Sequence, residues 1–311
     1  SLHPTHAEAA NNLGVIAAKK VEHQEAEKLY RQALAENPDY FEPHLNLGLV
    51  LLQEDRVLEA RYYLTRAVSL NRDSDAAADH LGVALMRAGR VTEAIELIEQ
   101  ALKLNSQSRE AWVHLGLCHQ RLADFEAAEN AFRKSLECSP DHLHAWNCLL
   151  LMLNYSRRDK ADVFRLHQEF ARAATQGMNP SLHGNVPDPG RRLRLGFVSG
   201  DFRQHSVGYF VFSVLSRLPR SEFELWGYFN QPKPDRRTAD FKALFYHSRD
   251  TYRLSAAEVT ELIRGDKIDI LVDLSGHTSH NRLAVFAAKP APVQVSWIGY
   301  PNTTGLSQID Y

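Results

Sequence analysis

Cysteine is scarce in this chain, with three in 311 residues, Cys118, Cys138 and Cys148. Three is an odd number for a disulfide framework, and their spacing matches no metal or redox motif, so buried free thiols in an intracellular protein are expected. Neither sign of charge is in excess: 36 basic residues stand against 38 acidic ones, a net charge of −2. That balance gives no electrostatic case for nucleic acid or an anionic membrane surface. The short basic cluster Arg191-Arg192-Leu193-Arg194 reads as solvated or strand-flanking. No run approaches the ~20 apolar residues of a membrane span. Ser-Leu-His-Pro at the start opens inside a helical pattern, with no signal peptide in view. The cytoplasm is therefore the expected compartment. The 15 histidines are scattered, without His-Glu-x-x-His or a Cys-x-x-Cys partner, and no metal site is expected.

What the chain does have is a repeat. Leu13-Gly14, Leu47-Gly48, Leu81-Gly82 and Leu115-Gly116 recur at a spacing of 34, followed by Ala26, Ala60, Ala94 and Ala128. Ala33, Ala67 and Ala101 extend the grid, with Ser135 as its fourth member, and Pro38 and Pro140 close the first and last units. This is the tetratricopeptide pattern, two antiparallel helices per unit. Glycine and alanine belong where the paired helices cross, and Leu13, Tyr30 and their equivalents fill the seams. Units are expected near 7–40, 41–74, 75–108 and 109–142, with a degenerate fifth at 143–176 that has Asp162 in place of the alanine. The sixth position of each unit, Asn12, Asn46, His80 and His114, is expected to face the concave groove. An amide there can hydrogen-bond a peptide backbone; the plainer reading is an ordinary polar surface. Trp112 and Trp146 read as packing.

A linker is expected at 177–192, and then the period changes. Leu193–Ser199, Phe223–Phe229, Ile268–Leu274 and Val293–Ile298 read as buried strands. Helices fit Val207–Arg217, Thr238–His247, Ala256–Arg264 and His280–Ala288. Such alternation argues for a parallel sheet with helices on both faces, over 193–311. Ligands of such sheets bind in the loops at the carboxyl ends of the strands. Three of those loops, Ser199–Ser206, Ser275–His280 and Gly299–Gly305, would gather His205, His277, several hydroxyls and glycine backbone on one edge. Each loop also has a plainer reading: a histidine as a cap, or Gly299–Gly305 as a turn with Thr303-Thr304 as its hydroxyl cap. Leu195–Gly200 lacks the third glycine of a dinucleotide fingerprint.

The stretch Leu-Arg-Leu-Gly-Phe-Val-Ser-Gly-Asp-Phe-Arg-Gln-His (193–205), following such repeats, resembles the O-linked N-acetylglucosamine transferases. So does Lys-Pro-Ala-Pro-Val-Gln-Val-Ser-Trp-Ile-Gly-Tyr-Pro-Asn-Thr-Thr-Gly (289–305). The likeness runs over essentially the whole chain and is nearest to the bacterial, Xanthomonas-type homologues. It implies an all-α tetratricopeptide superhelix followed by an α/β Rossmann-like lobe, the N-terminal half of a GT-B glycosyltransferase. The implied reaction moves N-acetylglucosamine from UDP-GlcNAc to a Ser or Thr hydroxyl, inverting the anomeric carbon, with neither metal nor cofactor.

The resemblance makes His205 the active-site histidine and puts Gly299, Tyr300 and Pro301 near the donor sugar. His277, Thr278, Thr303 and Thr304 would line the same cleft, although animal members of the family carry Tyr at the position of His277. Asn12 and Asn46 are similar to the family's asparagine ladder, from which His80 and His114 depart. A protein or peptide acceptor in the repeat groove is the implied partner. A second, donor-gripping lobe would follow Tyr311, and without it the chain is expected to be inactive. The alternatives are a non-catalytic repeat scaffold and a transferase acting on small or lipid-linked acceptors.

Overall fold

The computed structural model describes residues 6–178, 183–188 and 190–311. The helical reading of Ser1–Pro4, and the part of the expected 177–192 linker at 179–182 and 189, lie outside the described residues. The chain forms two compact units, Ser1–Ala145 and Trp146–Tyr311.

The first unit is built of helix pairs: α1 (His6–Lys19) with α2 (His23–Glu36), α3 (Phe41–Gln53) with α4 (Val57–Leu70), α5 (Asp75–Arg87) with α6 (Val91–Leu104), and α7 (Arg109–Arg121) with α8 (Phe125–Cys138). The 34-residue grid is the reason they fit. A Cβ on Gly14, Gly48, Gly82 or Gly116 would come within 2.5–2.6 Å of Tyr30, Leu64, Ile98 or Phe132. Those four large side chains therefore lie flat on the glycine of their own pair. Ala26, Ala60, Ala94 and Ala128 are all fully buried. Leu47, Leu81 and Leu115 are buried as expected, but Leu13 is 54% exposed. It lies on the face that later pairs press against the pair before them, and no described residue covers it there.

The turn within each pair carries a left-handed residue at the same repeat position: Val21 (φ 60°), Asp55 (62°), Gly89 (83°) and Ala123 (60°). Only one of the four is glycine, which the periodic reading had no means of detecting.

The boundary between the units falls inside α9 (Leu143–Leu153), which is followed by α10 (Lys160–Thr175). The sheet of the second unit has five parallel strands in the order β3-β2-β1-β4-β5. These are β1 (Leu193–Ser199), β2 (Phe223–Phe229), β3 (His247–Asp250), β4 (Ile270–Asp273) and β5 (Val293–Ser296). Helices α11 (Ser206–Leu215), α12 (Arg236–Leu244), α13 (Ala256–Gly265) and α14 (Leu283–Ala287) connect them. The sequence reading has four strands and carries a helix through His247. The fifth strand, β3, is a short polar edge strand, His-Ser-Arg-Asp, with no apolar run to betray it.

Under the sheet, Phe202, Phe229, Phe241 and Phe245 form one aromatic cluster with centroids 4.8–5.7 Å apart where they pair. At the opposite edge, Asp269 takes Arg191 (2.6 Å), the Asn185 amide (2.6 Å) and the Arg194 backbone N–H (2.8 Å). These bonds hold its carboxyl below the usual range against the cost of burial and moor the described part of the segment before β1.

Candidate functional site

Because all five strands run the same way, the loops after β1, β4 and β5 leave from one edge. The chain steps outward from β1 to β2 and β3, then returns to β4 on the other side. That reversal lies between β1 and β4, where sheets of this type hold ligands. Neighbouring loops touch: a Cβ on Gly200 would fall 2.7 Å from His280 Cβ, and one on Gly276 2.2 Å from Tyr300 Cβ.

The loop after β1 is held from below. Phe202 is drawn into the aromatic cluster, Ser199 Oγ accepts from Asp201 N–H (2.9 Å), and Asp235, which caps α12, accepts from Gln204 N–H (2.8 Å). Gly208, in the first turn of α11, lets the loop lie against the helix, since a Cβ would be 2.5 Å from the Arg203 carbonyl oxygen. Asp201 ends up buried, with its carboxylate 3.6 Å from both Arg203 and His205 Nδ1. His205 is the residue before α11. Its Nδ1 is buried with no hydrogen-bond partner, yet 38% of the side chain is exposed. The exposed part is therefore the outer edge of the ring, with a carboxylate behind it. An imidazole so placed can offer a hydrogen bond from, or to, its outer nitrogen at the edge where the strands end.

The loop after β4 turns inward. Asp273, buried under it, accepts from Ser275 N–H (3.0 Å), Gly276 N–H (2.8 Å) and Ser296 Oγ–H (3.0 Å), tying the β4 loop to β5. Beyond it, His277 is 1% exposed. Its Nε2–H donates to the Thr304 carbonyl (3.1 Å), and its Nδ1 stands 2.7 Å from the Asn147 side-chain amide, which suits a neutral ring when the amide turns its NH2 end to Nδ1. Phe170, Tyr300 and His167 surround the ring at centroid distances of 4.5, 5.1 and 5.2 Å. Burial pushes its pKa down to about 3, and the neighbouring His167 adds to the effect. Thr278 donates to the Ser275 carbonyl (2.8 Å) and stays half-buried.

After β5, a Cβ on Gly299 would lie 1.8 Å from the Leu274 carbonyl oxygen, so only glycine passes there. Tyr300 points into the seat made by α9 and α10. Its hydroxyl accepts from the Asn154 amide (2.8 Å) and shares its proton between the Leu150 carbonyl (3.1 Å) and His167 Nε2 (3.0 Å). His167 Nδ1–H is committed to the Val163 carbonyl (2.7 Å). Burial pushes the Tyr300 phenol up to about 12. Pro301 and Thr303 are exposed, whereas Thr304 is buried, its carbonyl facing His277.

Of the residues read as a cleft, then, His205, Pro301 and Thr303 reach the surface. His277 and Thr304, both buried, and half-buried Tyr300 form an inward cluster with Asn147, Asn154 and His167. Those last three had no signal in the sequence beyond ordinary helix or loop positions, whereas Asp201 stands in the Asp-Phe-x-x-His stretch (201–205) with His205.

In the repeat unit, Asn12 is exposed, Asn46 donates to Asn11 (3.1 Å), and His114 Nδ1–H donates to Asp79 (2.9 and 3.0 Å). The His80 and His114 rings are 6.1 Å apart, and burial lowers the pKa of His80. Asn11 and Asp79, each 5% exposed, link successive repeats just behind these positions. They stand one residue before Asn12 and His80, a signal present in the sequence but not used.

Comparison with known proteins supports this fold. Residues 171–311 match the family described as glycosyl transferase family 41, and 1–41, 22–79 and 81–142 match the tetratricopeptide repeat. The structure of an O-GlcNAc transferase mutant from Thermobaculum terrenum superposes with a TM-score of 0.78 at 34% identity, covering 87% of this chain and 52% of that one. The chain is homologous to the O-GlcNAc transferases. Its second unit corresponds to the N-terminal half of a GT-B fold.

A rice protein, the probable UDP-N-acetylglucosamine–peptide N-acetylglucosaminyltransferase SPINDLY of Oryza sativa subsp. japonica, is 38% identical over 188 residues, 58% of this chain and 20% of its own length. The UDP-N-acetylglucosamine–peptide N-acetylglucosaminyltransferase of Caenorhabditis elegans is 33% identical over 142 residues, 43% of this chain and 12% of its own. The chain spans about a fifth of the length of the plant relatives it matches. No helix among the described residues is long and apolar enough to cross a membrane.

Proposed function

We propose that this chain carries the acceptor-side half of a protein O-GlcNAc transferase. In this reading N-acetylglucosamine passes from UDP-GlcNAc to Ser or Thr hydroxyls of polypeptides, with inversion and without a metal, and the repeats recruit the acceptor. The observation that carries it is His205, set on the β1 edge with its outer ring edge exposed and Asp201 behind it. An imidazole so held can accept the acceptor's proton or position the sugar. Exposed Pro301 and Thr303 form the neighbouring rim, and Gly299 sets that loop close to the sheet. His277, Tyr300 and Thr304 would support the rim from within.

The same reading keeps residues 1–176 as the recruiting solenoid, 177–192 as linker and 193–311 as the first lobe. Asn12, Asn46, His80 and His114 line the acceptor groove, and UDP is gripped by a second lobe supplied in cis or in trans. It also takes over the bacterial, Xanthomonas-type affiliation and a cytoplasmic setting.

The test is calorimetric titration of UDP and of UDP-GlcNAc into the chain, with and without such a lobe. Binding only with the lobe, weakened by His205→Ala for the sugar conjugate but not for UDP, supports the proposal. Absence of binding in both cases favours a second reading, a repeat scaffold. The inward use of His277 and Tyr300 for packing is the observation on that side.

A further inference from the structure

The repeat unit holds a second constellation of titratable groups. Glu110, in the first turn of α7, faces His142, the residue before α9, and His144 in its first turn. Their ligand atoms all lie within 4.8 Å of one another. His142 Nε2 is 3.1 Å from Glu110 Oε1, and His144 Nδ1 is 3.9 Å from Glu110 Oε2. The two imidazole rings stand 6.0 Å apart at 82°.

His142 is the informative member. It is 8% exposed, and its Nδ1 lies 2.9 Å from Ser135 Oγ, which in turn lies 2.8 Å from the Arg109 carbonyl oxygen. A carbonyl has no proton to offer, so the single hydroxyl proton of Ser135 goes to Arg109 O, and Nδ1–H of His142 must donate to Ser135 Oγ. In the neutral ring this tautomer leaves the Nε2 lone pair aimed at a carboxylate oxygen 3.1 Å away. Two lone pairs at that distance repel, and either a proton on Nε2 or a metal ion between them turns the contact into an attraction. Ser135 is itself a departure. The equivalent positions of the other repeats are Ala33, Ala67 and Ala101, all as buried as Ser135. A hydroxyl where the other repeats have a methyl group costs stability unless it is satisfied, and here it is satisfied by orienting one histidine nitrogen.

We propose that Glu110, His142 and His144 form a divalent transition-metal site of the zinc class, with Ser135 as the residue that positions His142. Two imidazoles and one carboxylate are a zinc donor set, whereas calcium and magnesium ask for oxygen ligands alone. A histidine that donates its second N–H to a fixed acceptor is the usual way a ligand ring is held in register. Zn–N and Zn–O bonds of about 2.0–2.1 Å place tetrahedral ligand atoms about 3.3 Å apart. The Glu110–His142 contact already has that spacing, and Glu110 and His144, whose side chains are 49% and 54% exposed, have room to close the remainder. The fourth position stays open to water or a partner's ligand. The bound ion would clasp the α8–α9 segment to the start of α7.

The experiment is titration of the metal-free chain with Zn2+ against a competing chelator, and with Co2+ followed by visible absorption. One ion per chain, bound more tightly than about 10 µM and with a four-coordinate Co2+ spectrum, is expected. His142→Ala and Glu110→Gln should abolish both signals. His144→Asn, at a side chain 54% exposed, should do the same. Ser135→Ala keeps every ligand and installs the residue of the other repeats, so a 10–100-fold loss of affinity is expected from it. No stoichiometric binding up to about 100 µM, or binding untouched by His142→Ala or His144→Asn, overturns the site. Unchanged affinity in Ser135→Ala overturns the role of Ser135.

Discussion

Acid should weaken the second unit through His277, by an amount that can be worked out. The ring is sealed by Asn147, Phe170, His167, Tyr300 and the Thr304 carbonyl, and its pKa falls from 6.5 to about 3 because the charged form would lose its water. In the unfolded chain the same ring is solvated and takes up a proton below its ordinary pKa. The unfolded state therefore binds the extra proton. Stability is complete above about pH 6.5 and declines as the pH falls toward 3. Between pH 7 and pH 5 the loss is about 2 kcal/mol, a large share of the roughly 5–15 kcal/mol that holds a domain together.

Urea unfolding followed by tryptophan fluorescence reads mainly this unit, which holds Trp146, Trp226 and Trp297. His277→Gln retains a polar group able to reach Asn147 and Thr304 but cannot titrate. The wild-type chain should therefore lose about 2 kcal/mol more than the variant on going from pH 7 to pH 5. His167 beside it is also held below its ordinary pKa by burial and contributes in both proteins. Equal losses in the two would refute the idea that His277 is locked neutral in the fold.

Gly299→Ala places a methyl group 1.8 Å from the Leu274 carbonyl oxygen and should cost about 3 kcal/mol in urea unfolding. Gly265→Ala, at the end of α13 with nothing within 4 Å of the new Cβ, should be neutral or slightly stabilising. Val21→Gly relieves a β-branched residue at φ 60° and should raise the stability of the repeat unit by about 0.5–1 kcal/mol, seen as a higher melting temperature. Tyr300→Phe leaves the Asn154 amide and His167 Nε2 without their shared hydroxyl. It should cost about 1–3 kcal/mol; a loss below 0.5 kcal/mol would mean that water replaces the hydroxyl there.

The inward turn of His277 and Tyr300 has a consequence for the candidate site. A sequence motif can collect histidines on the loops of one sheet edge, but each loop has two sides. One faces solvent, and the other faces whatever element packs against the sheet. Here α9 and α10 supply that element. Asn147, Asn154 and His167 give polar partners to side chains that would otherwise lie at the rim. His205 escapes because its loop is anchored by Phe202 instead, and the aromatic cluster holds the backbone while leaving the imidazole edge outside.

By itself the sequence determined the helix pairs, because Gly14, Gly48, Gly82, Gly116 and the alanine grid have one workable use, the close crossing of two helices. It also determined the parallel sheet and the edge where His205 would emerge, since strands such as Leu193–Ser199 and Phe223–Phe229 are short, mostly apolar runs that alternate with helical stretches. Tertiary structure decided what periodicity does not encode. The polar edge strand β3 is a strand only because β2 offers it hydrogen bonds. The exposure of Leu13 depends on what packs over it. The burial of His277 depends on helices more than a hundred residues earlier in the chain. The meeting of Glu110 with His142 and His144 depends on the stacking of one repeat on the next. Each is a contact between segments far apart in the chain, and such contacts arise from packing, which a residue's near neighbours in sequence do not record.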